Sequence, residues 1–186
     1  MYSMSLSSLP NIISALRIFL TIPIIYLLWS ESYSLAFLLI FIAAVSDGLD
    51  GFLARHYGWQ SELGAMLDPI ADKILLVSLV IIFAMKGELP FWLMVLIVSR
   101  DVIIFLGALL YRYVTGAIQM RPLFVSKVNT LLQIILVLLV AMKVADFRVS
   151  LLLLDAMIQM VALSTLLSGL SYIVLWTRYY ALQGSK

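Results

Sequence analysis

Six apolar runs separated by short polar links divide the chain, and each is long enough, or nearly so, to cross a bilayer as a helix. After a short surface segment at about residues 1–11, with Ser7, Ser8 and Pro10, the first run covers residues 12–29. The second begins at about residue 33 and runs into Asp47 and Arg55, the third spans about 64–84, and the fourth spans 91–114, interrupted by Ser99-Arg100-Asp101. A fifth covers about 125–141 and a sixth 151–176, with Asp155 near its start. Ser30-Glu31-Ser32, Lys86-Gly87-Glu88-Leu89-Pro90 and residues 143–150, which hold Asp146 and Arg148, are the links at one end. The pattern predicts an all-α polytopic membrane protein, a bundle of six transmembrane helices forming one domain over 1–186. Pro23 is placed to kink the first helix and Pro69 falls in an early turn of the third, where its missing N–H is tolerated.

Composition agrees: the 186 residues are 64% hydrophobic and only 12% charged, too apolar for a soluble domain. No cysteine is present, which excludes disulfides and thiolate metal ligands. A net charge of +2 gives no reason to expect a nucleic-acid partner. The position of the basic residues says more. With six helices both termini lie on one side, and Arg17, Arg55, Arg112, Arg121, Lys127, Arg178 and Lys186 fall on that face, against Lys86, Lys143 and Arg148 on the other. The larger set marks the cytoplasmic face. Tyr111, Tyr113, Tyr179 and Tyr180 fit an aromatic belt at the same level.

Four carboxylates then stand out in an otherwise oily chain: Asp47, Asp50, Asp68 and Asp72. An aspartate at bilayer depth costs about 3 kcal/mol, so together they require neutralisation on the order of 10 kcal/mol. Asp47, Asp50 and Arg55 follow helical spacing, as do Gly64, Asp68 and Asp72, so each set shares one face. If the two helices form an antiparallel hairpin, the two acidic stripes converge. Such a set of hard oxygen ligands suits Mg²⁺, Mn²⁺ or Ca²⁺, with room for two ions. Gly48, Gly51, Ala54 and Gly64 remove side chains on these stripes, leaving space either for a ligand or for a neighbouring helix.

The run Asp47-x2-Asp50-Gly51-x2-Ala54-Arg55-x8-Gly64-x3-Asp68-x3-Asp72 resembles the complete signature of the CDP-alcohol phosphotransferase family. That resemblance implies transfer of a phosphatidyl group from a CDP-activated lipid such as CDP-diacylglycerol to an alcohol, with release of CMP. It further implies two Mg²⁺ or Mn²⁺ ions on Asp47, Asp50, Asp68 and Asp72, with Asp72 also the general base. Cytidine is then expected beside Gly51 and Ala54, with Arg55 at the nucleotide end or holding the aspartates. A homodimer is implied in the same way.

The acceptor is sought among Arg100, Arg112, Arg121 and Lys127, since a phosphate-bearing glycerol acceptor needs basic partners. The structural alternative is an Arg100–Asp101 ion pair or burial of Arg100, and a positive-inside anchor for Arg112 and Arg121. Ser99-Arg100-Asp101-Val102 and Ser126-Lys127-Val128-Asn129-Thr130-x2-Gln133 resemble the branch of the family that includes eukaryotic-type cardiolipin synthases, whose acceptor is phosphatidylglycerol. The sibling branch making phosphatidylglycerophosphate from glycerol 3-phosphate is the runner-up; it usually shows Arg-Glu and Gly-Lys where this chain has Arg100-Asp101 and Ser126-Lys127.

Two other classes compete on bare chemistry. An intramembrane prenyltransferase also binds a diphosphate through aspartates and Mg²⁺, but with a larger bundle and different gaps. An ion transporter would line its path with carboxylates, yet here the acids gather at one membrane end and no inverted repeat matches them. Simple pairing of the four acids with Arg55 and Lys73 leaves two charges unmatched. The N-terminus has neither a basic region with a small-residue cleavage site nor an Arg-rich, Ser-rich leader, so the expectation is a bacterial inner membrane rather than an organelle's.

Overall fold

Each apolar run forms a helix, because backbone polar groups with no water to bind must be satisfied within the segment. The structure, a computed structural model, describes the backbone of residues 9–57, 62–115 and 124–183 and the side chains of 18–46, 73–109 and 124–175. Among them are six helices: α1 (Leu9–Trp29), α2 (Tyr33–Tyr57), α3 (Glu62–Met85), α4 (Phe91–Thr115), α5 (Phe124–Val144) and α6 (Leu151–Gln183). Phe91–Leu109, Phe124–Val144 and Leu151–Leu175 are long and apolar enough to cross a membrane. Shorter apolar stretches among the described residues are Ile18–Trp29, Tyr33–Ser46 and Lys73–Met85.

Three boundaries differ from expectation. Helix α1 starts at Leu9, inside the expected surface segment, which puts Pro10 in a first turn where its missing donor is no loss. Pro69 is the eighth residue of α3, past the first turn, so the carbonyl four residues earlier loses its helical donor. Helix α6 runs to Gln183 rather than ending at Trp176, because Thr177 to Gln183 lose hydrophobicity but include no helix breaker before Gly184.

The chain divides into two compact units. The first comprises residues 1–88 and 137–149. In it α1 packs against both α2 and α3. Thr21, Ile24 and Leu28 form the buried stripe of α1, Ala36, Ile40 and Ala43 that of α2, and Leu76, Leu79, Val80 and Phe83 that of α3. The small alanines of α2 let its backbone approach closely, as membrane helices require in the absence of a hydrophobic drive between them.

At the link end of this unit three helices terminate in the same way. Residues Glu31 (φ 60°), Gly87 (φ 78°) and Asp146 (φ 64°) adopt the left-handed conformation. The following N–H then reaches back to the helix: Ser32 to the Leu27 carbonyl at 2.9 Å, Glu88 to Phe83 at 2.8 Å and Phe147 to Met142 at 3.1 Å. These are Schellman caps, which satisfy carbonyls otherwise orphaned at the helix ends. Nearby, Lys86 donates to the Tyr33 hydroxyl at 3.2 Å and lies 5.7 Å from the Trp29 ring centroid, while Lys143 pairs with Glu88 at 2.9 Å.

The second unit comprises residues 89–136 and 150–186, with α4 packed on α6. Its buried stripes change character along their length. Leu93 and Ile97 of α4 are followed in register by Arg100; Leu136 of α5 is preceded by Gln133 and Asn129; Leu154, Met157 and Val161 of α6 are followed by Thr165 and Ser168. Outside, Phe105, Leu131, Leu163, Leu166 and Leu170 are exposed. At this end the unit is polar within and apolar without, the arrangement suited to lipid surroundings.

Candidate functional site

Asp47 and Asp50, with Gly51, Ala54 and Arg55, lie on the continuous helical backbone of α2, and Gly64, Asp68 and Asp72 on that of α3. Helical geometry therefore sets Asp47 and Asp50 about one turn apart, and likewise Asp68 and Asp72. Their side chains, and those of Arg55 and Arg112, fall outside the described residues, as does Arg121 altogether. The expected convergence of the carboxylates thus lies beyond what the structure describes. The donor chemistry of four carboxylates at one-turn spacing on two helices fits a hard divalent ion.

Arg100 is described fully. It is 5% exposed, on the core stripe of α4. Its Nη1 donates to Asp101 Oδ1 at 2.6 Å, and its Nη2 donates to Ser126 Oγ of α5 at 2.6 Å and to Ser168 Oγ of α6. One guanidinium therefore joins three helices. Its Nε is buried without a hydrogen-bond partner. Gly169 of α6 adjoins the Arg100 stem, where a Cβ would lie 3.7 Å from Cγ, an ordinary contact. Both the ion pair and the burial weighed for Arg100 are present. A paired, hydrogen-bonded cation is how an arginine is accommodated at this depth. Lys127, by contrast, is exposed on α5.

One helical turn beyond Ser126, Asn129 is fully buried. Its Oδ1 accepts from Thr165 Oγ1 at 2.9 Å and from Ser164 Oγ at 2.7 Å; the Ser164 proton is shared with the Val161 carbonyl at 3.1 Å. Thr130 donates back to the Ser126 carbonyl at 3.1 Å. One further turn along, Gln133 is also fully buried. Among the described residues neither atom of its amide has a hydrogen-bond partner, and neither does Asn129 Nδ2. Antiparallel α5 and α6 thus share a polar seam: Ser126 with Ser168 through Arg100, then Asn129 with Ser164 and Thr165, then Gln133.

Sequence reasoning singled out Arg100, Lys127, Asn129 and Gln133 but missed Ser164, Thr165 and Ser168. The available signal was the spacing of those hydroxyls, with Ser168 three and four residues beyond Thr165 and Ser164 on an apolar stretch of α6.

Comparison with known proteins bears on both regions. The family model for CDP-alcohol phosphatidyltransferase matches residues 7–181. Rat "Cardiolipin synthase (CMP-forming)" is 36% identical over 146 residues, covering 70% of this chain and 48% of its own length. A "Probable phosphatidylglycerophosphate synthase" of Mycobacterium tuberculosis is 37% identical over 102 residues, covering 52% of this chain and 49% of its own. The chloroplastic "CDP-diacylglycerol--glycerol-3-phosphate 3-phosphatidyltransferase 1" of Oryza sativa is 36% identical over 147 residues, 70% of this chain and 45% of its own. The chain spans about half the length of these curated relatives.

Proposed function

The chain belongs to the CDP-alcohol phosphatidyltransferase family, and from that premise we propose that it transfers the phosphatidyl group of CDP-diacylglycerol to a hydroxyl of phosphatidylglycerol, releasing CMP. The observation that carries the reaction class is the unbroken acidic signature, set on helical backbone in α2 and α3. Similarity to relatives named as cardiolipin synthases supports the lipid acceptor. Similarity to relatives named for phosphatidylglycerophosphate and glycerol 3-phosphate keeps the smaller acceptor as the second reading.

In this reading Asp47, Asp50, Asp68 and Asp72 hold the divalent ions, two Mg²⁺ or Mn²⁺, that the family generally uses. Bound there, the ions supply charge neutralisation of the diphosphate and of the departing CMP phosphate. Asp72 accepts the proton of the attacking hydroxyl as its oxygen bonds to the lipid-side phosphorus and the bond from that phosphorus to the CMP oxygen breaks. Gly51 and Ala54 leave space beside the helix for cytidine, and Arg55 serves the nucleotide end. Arg100, Arg112, Arg121 and Lys127 serve the acceptor phosphate. For Arg100 the fixed guanidinium supports this role, since its orientation is set by Asp101 and Ser126 before any ligand arrives.

The wider assembly proposed is a six-span homodimer with the site at the cytoplasmic surface of a bacterial inner membrane, where a soluble nucleotide and a lipid both reach it. Purified protein given CDP-diacylglycerol with each acceptor separately tests the reaction. Cardiolipin formed from phosphatidylglycerol is the expected product; product from glycerol 3-phosphate alone would transfer the assignment to the second reading.

A further inference from the structure

The polar seam of the second unit holds more hydrogen-bonding capacity than the protein uses. Asn129 Oδ1 is fully accounted for by Ser164 and Thr165, a tie that fixes α5 against α6. Gln133 has no such explanation. It is fully buried, yet among the described residues both its amide nitrogen and its amide oxygen are without partners, and Asn129 Nδ2 one turn away is also unpartnered. Leucine or methionine would fill a similar volume with no polar group to desolvate, so packing alone gives no reason for an amide here.

We propose that Gln133, with Asn129 Nδ2, forms a hydrogen-bonding subsite for the glycerol hydroxyls of the acceptor, continuous with the Arg100 guanidinium. The inference rests on the phosphatidyl-transfer reading above and assigns a specificity-determining residue within it. Chemistry selects the ligand. A hydroxyl both gives and takes a hydrogen bond, matching Gln133 Oε1 as acceptor and the two amide nitrogens as donors. A bare phosphate would find the amide oxygen repulsive. A glycerol carrying a phosphate would satisfy both ends of the seam, the anion at the Arg100 guanidinium level with Ser126 and the hydroxyls at the amides one and two turns further along α5. From Ser126 to Gln133 is about 10 Å along the helix, comparable with the length of a glycerophosphate group.

The test uses the full-length protein, measuring CMP release with phosphatidylglycerol or glycerol 3-phosphate varied at saturating CDP-diacylglycerol, and the converse. Gln133→Leu and Gln133→Met are compared with wild type, and the thermal midpoint of each is recorded in detergent. Loss of hydrogen bonds to a bound hydroxyl predicts a rise in KM for the acceptor of about tenfold. KM for CDP-diacylglycerol is expected to stay within about twofold, and the thermal midpoint to be unchanged or higher, since a buried unpaired amide has been removed. The arm in which acceptor KM moves identifies which glycerol occupies the subsite. An unchanged acceptor KM overturns the proposal, as does a lowered midpoint with both KM values shifted, or failure of both variants to accumulate folded, for then Gln133 is structural. Wild-type protein that releases no CMP with either acceptor overturns instead the parent reading.

Discussion

Thr165 donates its hydroxyl to the side-chain oxygen of Asn129 across 2.9 Å, joining α6 to α5 where both residues are buried. Between membrane helices such a bond contributes about 0.5–1.5 kcal/mol. Thr165→Val keeps the shape and removes the donor, so unfolding of the variant in detergent is expected to occur with stability lower by about that amount. No loss at all would mean that the Ser164 hydroxyl alone suffices to hold Asn129.

Arg100 and Asp101 are each other's ion-pair partners at 2.6 Å, side chains 5% and 13% exposed. Arg100→Met removes the guanidinium that pairs with Asp101 and bonds Ser126 and Ser168, at an expected loss of about 3 kcal/mol. Adding Asp101→Asn is expected to restore part of that stability without restoring transfer to the acceptor. A double-mutant cycle on thermal stability, with activity measured in parallel, separates the two effects.

Caps at the link end offer a cleaner backbone experiment. Gly87 sits at φ 78° with open space where a Cβ would point, so Gly87→Ala meets no clash and costs only left-handed strain, about 1 kcal/mol. Glu31 adopts φ 60° without being glycine. Glu31→Gly is therefore expected to leave stability unchanged or raise it by up to about 1 kcal/mol, strain relief opposing glycine's greater entropy when unfolded. Melting midpoints of the two variants should move in opposite directions, or the second not at all.

The proposed metal and base roles separate in binding and turnover. Asp72→Asn is expected to abolish transfer while CDP-diacylglycerol binding persists, and chelator is expected to stop wild-type CMP release until Mg²⁺ or Mn²⁺ is returned. An Asp72→Asn protein with full activity would remove Asp72 from the role of base.

Much of the helical layout was legible from hydropathy alone, since a spanning segment must be both long and apolar, and short links punctuate it. Ends were less legible. Thr177 to Gln183 no longer look like membrane, but nothing in them stops a helix, and hydrophobicity is silent on that point. The acidic signature could be read because charge is conspicuous in an oily chain. The seam could not: serine and threonine are common in membrane helices on any face, and Ser164, Thr165 and Ser168 declare their role only when α5 supplies Asn129 and α4 supplies Arg100. The stripe Leu93, Ile97, Arg100 places that arginine inward, because its spacing continues the buried face of α4.

The seam also bears on how the protein is made. Ribosomes deliver α4 before α5 and α6, so Arg100 emerges ahead of the hydroxyls of Ser126 and Ser168 that receive its protons. Until both later helices are synthesised, Asp101 is the partner among the described residues that offsets an arginine whose insertion costs about 3 kcal/mol. Completion of the C-terminal hairpin is therefore expected to steady α4 in the bilayer, and a ribosome stalled before α6 to leave a nascent chain whose fourth helix is extracted more easily.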